Sequence, residues 1–178
     1  LLHRHHPRRS KNPTPLLLYS STPLPLYAST FTQAGEAYQQ GNYAEAAELY
    51  EQYIAQAPSA DAYYNLGVMY VQRNNFESAI TNLKKGLQRD NKSVRLDYYL
   101  GIAYIQRGDT QKAISCYETI IQQIDSLYTP AYNRLGAIFC GKGDYDKAVA
   151  YHQKATRIDP QDPESYKCLG KVNTDRGD

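Results

Sequence analysis

The chain has 178 residues and a formal net charge of +2, with 18 tyrosines and no tryptophan. This length suits one domain or a short array of repeats. The apolar runs are only a few residues long, which excludes a transmembrane helix, and the near-neutral charge offers no basic face for general nucleic-acid binding.

The N-terminal segment, residues 1–28, holds five of the nine prolines, so we expect it to be disordered rather than helical. It contains Arg4, Arg8, Arg9 and Lys11 and no acidic residue. One interpretation is an organelle transit peptide of the plastid type. The other is a linker, or translated sequence upstream of the true start, since the chain has no initiating methionine.

The stretch Ala60–Ser93 predicts two amphipathic helices joined by a tight turn. Apolar and small residues fall at i, i+3, i+4 and i+7 in its front half, which indicates one face of a helix. Asn74 and Asn75 then break the period, because short polar residues favour turns. A second apolar face follows; the two faces are Tyr63, Leu66, Gly67 and Tyr70, and then Phe76, Ala79, Ile80, Leu83 and Leu87.

The same pattern recurs along the chain. A Leu-Gly pair appears four times, with the glycines Gly67, Gly101, Gly136 and Gly170 spaced by 34, 35 and 34 residues. Small residues at these positions allow two paired helices to approach closely. Leu83 has its counterparts in Tyr117 and His152, and the recurring alanines are Ala79, Ala113 and Ala148. A single helix pair cannot bury its apolar face, so the repeats are expected to stack into an array.

This pattern resembles the tetratricopeptide repeat, written W-x2-L-G-x2-Y, then A-x3-F, then P, over 34 residues. Tyr63, Tyr132 and Tyr166 occupy the tryptophan position, while Asp97 departs from it. The resemblance implies an all-α fold, a right-handed α-solenoid of antiparallel helix pairs with a concave peptide-binding face. It does not imply an enzyme.

We predict four full repeats followed by one terminal helix. The repeats are expected at 29–59, 60–93, 94–128 and 129–162, and the helix at 163–176. The third repeat carries one extra residue, expected in its closing loop around Ile124–Tyr128. Because Gly177 and Asp178 stand where a turn into a second helix usually lies, we expect the chain to be cut from a longer array.

No catalytic constellation, metal-ligand spacing or cofactor motif is present, so the expected chemistry is recognition. The three cysteines, Cys116, Cys140 and Cys168, form neither a metal motif nor a disulfide framework. We expect them to be thiols of a soluble protein in a reducing intracellular compartment. Our first hypothesis is a non-catalytic scaffold that binds a peptide segment of a partner protein. The alternative is the substrate-recruiting array of a larger enzyme, such as a transferase.

The resemblance also implies which residues line the groove, because the first helix of each pair faces it. Rings and aliphatic groups would hold side chains, amides would bind an extended backbone, and the basic groups suit an acidic peptide or a free C-terminus. The groove residues implied in this way are Tyr64, Asn65, Gln72, Arg95, Tyr98, Tyr99, Ile102, Gln106, Asn133, Arg134, Lys167 and Lys171.

Overall fold

The computed structural model describes residues 25–177, and within this range it contains α-helices and no strand. A π-helical turn at Ile120–Ile124 continues directly from the sixth helix. This is the predicted all-α solenoid. The helices are α1 Pro25–Gln39, α2 Tyr43–Gln56, α3 Ala60–Gln72, α4 Phe76–Leu87, α5 Val94–Arg107, α6 Thr110–Thr119, α7 Thr129–Gly141, α8 Tyr145–Ile158 and α9 Pro163–Arg176.

The first helix begins at Pro25, four residues before the predicted boundary at Ser29. A proline is tolerated at the first position of a helix, because the amide hydrogen it lacks would have no partner there. Residues 1–24, which make up the rest of the segment predicted to be disordered, lie outside the described residues. Helices α3, α5, α7 and α9 begin at the residues where the repeats are predicted to begin.

A residue with left-handed backbone ends the first helix of each pair. It is Gly41 after α1, Asn74 after α3, Gly108 after α5 and Gly143 after α7, with φ between 57° and 92°. Glycine adopts this conformation without steric cost, and asparagine tolerates it better than most residues. The resulting tight turn reverses the chain, so each odd-numbered helix packs antiparallel to the even-numbered helix that follows.

The odd-numbered helices form the inner layer of the solenoid. Helix α3 contacts α5 across the repeat boundary, and α7 contacts α9 in the same way. Each even-numbered helix packs between its own partner and the first helix of the next repeat. This layering leaves the odd-numbered helices lining one continuous surface, which we call the inner surface.

The repeated glycines lie where the two helices of a pair touch. A Cβ atom on Gly101 would stand 2.6 Å from Cζ of Tyr117, closer than real Cβ contacts allow. Gly67 and Gly136 meet Leu83 and His152 in the same way. By contrast, no atom lies within 4 Å of a Cβ on Gly170.

The extra residue of the third repeat is absorbed in a helix rather than in the predicted loop. The backbone N–H of Asp125 donates to the carbonyl of Ile120 at 2.7 Å, an i→i+5 bond that accommodates one more residue per turn. This π-helical turn contacts both α5 and α7. The two inner helices are therefore bridged by the turn, whereas α3 and α5 pack directly on each other.

Candidate functional site

Two adjoining cavities open along α7, the second of them between α7 and α5. The first cavity, about 610 Å³, lies between the loop that follows the π-helical turn, α7 and the start of α9. The second cavity, about 370 Å³, lies between α5, α6 and the C-terminal half of α7. Arg134 and Ala137 line both cavities. We call the two cavities and the Arg134 side chain between them the groove.

The first cavity is predominantly acidic. Four carboxylates and one guanidinium, that of Arg134, line it; the carboxylates are Asp125, Asp159, Asp162 and Glu164. Leu127, which follows the π-helical turn, also lines the cavity and is 66% exposed. A partner group at this end of the groove therefore meets negative charge beside an apolar side chain.

Arg134 is held on the ring of Tyr98. Its Nε donates to the Tyr98 hydroxyl at 3.1 Å, and its Cζ lies 5.8 Å from the centroid of the ring. None of the ion pairs among the described residues involves Arg134. Its positive charge is therefore available to a partner at the middle of the groove.

Tyrosine rings pack edge to face beneath this arginine. The Tyr98 ring lies 5.9 Å from that of Tyr99 and 5.7 Å from that of Tyr128, and Tyr99 lies 5.4 Å from Tyr64. Such edge-to-face pairs stabilise the orientation of each ring beyond the area they bury. Burial raises the pKa of Tyr128 to about 12, so this hydroxyl stays neutral at physiological pH.

Asn133 joins three helices through its amide group. Its Nδ2 donates to Asp162 at 2.8 Å, its Oδ1 accepts from the Ser165 hydroxyl at 2.9 Å, and the same oxygen lies 3.4 Å from Nδ1 of His152. Burial would raise the pKa of Asp162, but the hydrogen bonds from Ser165 and Asn133 outweigh it and hold the pKa below its usual value. Asp162 therefore stays ionised and fixes the start of α9 against α7.

The second cavity combines apolar walls with hydrogen-bond donors. Ile102, Ile105 and Ile138 form the walls, and Tyr117 reaches the cavity from α6. Lys142 and Arg134 are its charged residues, and no carboxylate lines it. The two cavities thus have opposite electrostatic character although they adjoin.

The structure brings five of the predicted groove residues together around the cavities. Tyr98, Asn133 and Arg134 line the first cavity, and Ile102, Gln106 and again Arg134 line the second. All five lie on α5 or α7, near the middle of the described array. Asn133 already uses its amide within the protein, so it supports the groove more than it contacts a partner.

The other predicted groove residues lie elsewhere. Tyr64 and Asn65 are buried, and the Asn65 amide nitrogen donates to the Tyr50 hydroxyl at 3.0 Å, so these two side chains pack in the core instead of facing a peptide. Tyr99 is half-buried beside Tyr64. Arg95 pairs with Asp61 at 3.1 Å. The exposed side chains of Gln72, Lys167 and Lys171 line neither cavity.

Sequence reasoning missed the carboxylates and Tyr117 as parts of the site, and it did not predict the π-helical turn. Asp125 follows the π-helical turn, Asp159 and Asp162 follow α8, and Glu164 lies in the first turn of α9. No single repeat therefore contains all four carboxylates. The 35-residue spacing between Gly101 and Gly136 was the available signal for the turn. For Tyr117, the signal was a hydroxyl-bearing ring at the position that Leu83 fills in the preceding repeat.

Within the part of the chain that the structure describes, no cluster of three or more His, Cys, Asp or Glu side chains could hold a metal ion. None of the described helices is both long enough and apolar enough to cross a membrane.

Comparisons with known proteins agree with this architecture. Two tetratricopeptide repeat family profiles match residues 31–94 and 93–161. A search of curated proteins gave no significant match.

Solved structures show the same fold. A crystal structure of MamA aligns with a TM-score of 0.73 at 26% identity, covering 81% of this chain and 84% of that one. A second MamA structure has a TM-score of 0.75 at 24% identity, over 85% and 82% of the two chains. A tetratricopeptide repeat protein from Parabacteroides merdae reaches 0.77 at 16% identity, over 85% of this chain and 60% of that one. Together with the profiles that cover residues 31–161, these matches place the chain in the tetratricopeptide repeat family.

Proposed function

We propose that this protein-interaction scaffold binds a peptide segment of a partner protein in the groove between α5 and α7, without catalysing a reaction. The observation that carries the proposal is the pair of adjoining cavities, which meet at Arg134 on the inner surface. Clefts of a few hundred Å³ with apolar walls and a few oriented polar groups are the usual form of a binding site.

Tyr98 is the proposed anchor and Arg134 the proposed charged contact. Tyr98 is half-buried and is held by rings on two sides, so little freedom is lost when a partner packs on it. Large rings fixed near the centre of an interface contribute most of the binding energy in many complexes. Because a short peptide buries a small area and loses its own conformational freedom, we expect a micromolar affinity.

Charge divides the groove, so we place the acidic part of the partner at one end only. The four carboxylates would repel an acidic segment from the first cavity, whereas Arg134 and Lys142 would attract it to the second. The predicted acidic character of the partner is therefore proposed for the segment that enters the second cavity. A reducing compartment is also proposed, on the ground that Cys116, Cys140 and Cys168 are not joined by a disulfide.

Selection from a random peptide library, followed by fluorescence anisotropy, tests the proposal. We expect Tyr98→Ala to weaken the selected peptide by about 1–2 kcal/mol. Arg134→Glu should slow association, most strongly at low salt, because salt screens exposed charges. Lys171→Glu is the matched control, since Lys171 is exposed and lines neither cavity. Failure to select any peptide, or equal binding by the wild type and the first two variants, would contradict groove binding.

A further inference from the structure

The Tyr117 hydroxyl is a buried donor without a partner. Tyr117 is 0% exposed, and its hydroxyl has no hydrogen-bond partner in the structure. A buried polar group left without a partner costs free energy that a bound acceptor would recover. The residues around Tyr117 indicate which acceptor could bind this hydroxyl.

The ring of Tyr117 extends from α6 in the outer layer to the inner helix α5. The residue belongs to α6, yet a Cβ on Gly101 of the inner helix α5 would lie 3.0 Å from the hydroxyl oxygen. The absence of a side chain at Gly101 is what lets the ring reach so far. Tyr117 lines the second cavity, and its ring centroid lies 5.8 Å from that of Tyr98.

The other residues that line the second cavity favour a ligand group with a hydrogen-bond acceptor at the end of an aliphatic chain. Ile102, Ile105 and Ile138 provide apolar walls, and Arg134 and Lys142 provide positive charge. No carboxylate lines the cavity, so no acidic side chain of the protein pairs with these two charges there. Burial raises the pKa of Tyr117, which keeps its hydroxyl protonated and able to donate.

We propose that the second cavity receives a glutamate side chain of the partner peptide, with its methylene groups against the isoleucines and its carboxylate accepting from the Tyr117 hydroxyl beside Arg134. This inference rests on the proposed function and names the side chain that the groove selects. A lysine would instead bring positive charge beside Arg134 and Lys142. The hydroxyl has no exposed surface in the free protein, so a side chain that lines the cavity must shift for the carboxylate to reach it.

The test uses the full chain and a peptide obtained by library selection. Each position of the peptide is replaced in turn by Glu, Gln, Met and Lys, and affinities are measured for the wild type and for Tyr117→Phe. We expect one position at which Glu binds about tenfold more tightly than Met, the range of a hydrogen bond to a charged group. In Tyr117→Phe that preference should disappear, while the Met peptide keeps its affinity.

Thermal unfolding separates this outcome from a folding defect. Tyr117→Phe removes only an unpartnered hydroxyl, so its melting temperature should equal or exceed that of the wild type. A second variant, Gln106→Glu, adds negative charge to the lining of the second cavity and should weaken the Glu peptide by about two- to fivefold. Gln72→Glu is the control, because Gln72 is an exposed residue at the same position of the preceding repeat and lines neither cavity.

Two outcomes would overturn the inference. If selected peptides bind but no position shows a Glu preference that depends on Tyr117, the glutamate assignment is wrong and groove binding stands. If no peptide binds the wild type, both the assignment and the proposed function fail.

Discussion

At the scale of single residues, Asp97 is a carboxylate placed where the array offers it little water. It occupies the position that tyrosine fills in the neighbouring repeats, as Tyr63 and Tyr132, and it is 7% exposed. Burial raises its pKa to about 6. The nearby Cys116 thiol has its pKa raised to about 12, by burial first and then by the Asp97 charge. Ionising Asp97 therefore costs free energy in the folded protein.

The first residue-scale prediction is a pH-dependent gain from Asp97→Asn. Because the folded pKa lies above the ordinary value of 3.8, the carboxylate destabilises the fold progressively as the pH rises towards 6. Asparagine does not ionise, so the variant should match the wild type near pH 4. Above pH 7 it should be more stable by about 1–3 kcal/mol. Urea unfolding across this range measures the difference; a gap that does not change with pH would contradict the prediction.

A second residue-scale prediction uses two glycines of the same repeat position. Gly101→Ala places a Cβ 2.6 Å from the buried Tyr117 ring, which cannot move away easily, so we expect a loss of about 1–3 kcal/mol. Gly170→Ala meets no atom within 4 Å and should gain up to about 1 kcal/mol from helix propensity. Urea denaturation of both variants is the measurement, and shifts of the same sign would show that the close contact is absent.

The burial of Tyr64 and Asn65 could not be read from the repeat pattern. The pattern identifies which face of a helix points inwards, and both residues lie on that face of α3. It does not show that Tyr99 of the next repeat packs on Tyr64, or that the Tyr50 hydroxyl accepts from Asn65. Those contacts join different repeats, and their closeness depends on how tightly α3 and α5 approach.

At the scale of elements, the helix starts at Ala60, Val94, Thr129 and Pro163 follow from the 34-residue period. The π-helical turn does not follow from this period. A spacing of 35 shows that one residue is added, but the added residue can lengthen a loop or widen a helical turn. The structure shows the wider helical turn, because the carbonyl of Ile120 accepts from the backbone N–H of Asp125. This hydrogen bond depends on neighbouring helices that the period does not describe.

The element-scale prediction concerns α9, which packs on α7 and α8 and on no later helix among the described residues. Tyr166 is 53% exposed on this helix, so much of its surface remains unburied. In a repeat array each element is stabilised by its nearest neighbours. We therefore expect amide hydrogens of α9 to exchange faster than those of α3 and α5.

Asn133→Ala tests the cause of this difference. It removes the bonds to Asp162 and Ser165 that hold α9 on α7, and should lower the local opening free energy of α9 by about 1–3 kcal/mol. Exchange in α3, which shares no contact with Asn133, is the internal control. Equal acceleration in both helices would mean that the variant destabilises the whole array instead of this junction.

At the scale of the whole molecule, the groove is assembled from segments that lie far apart in sequence. Its positive residues, Arg134 and Lys142, lie in α7 and directly after it. Its carboxylates lie after the π-helical turn, between α8 and α9, and in the first turn of α9. The repeat pattern predicts that α5 and α7 line the inner surface, and Tyr98 and Arg134 were found on that basis. The opposite charges of the two cavities depend on residues that the repeat leaves variable, so the repeat pattern could not predict them.

The π-helical turn also makes the contacts between successive inner helices unequal along the solenoid. Where α3 rests on α5, and α7 on α9, the layers are in direct contact, and bending must compress side chains that are already close-packed. Between α5 and α7 the turn contacts both helices, and Arg134 of α7 also reaches Tyr98 of α5. We expect this joint to bend more easily than its neighbours. A ligand wedged into the groove would change the curvature there, and tension applied to the two ends would widen the same opening. We therefore expect occupancy of the groove to change the spacing between α5 and α7, and with it the length of the array.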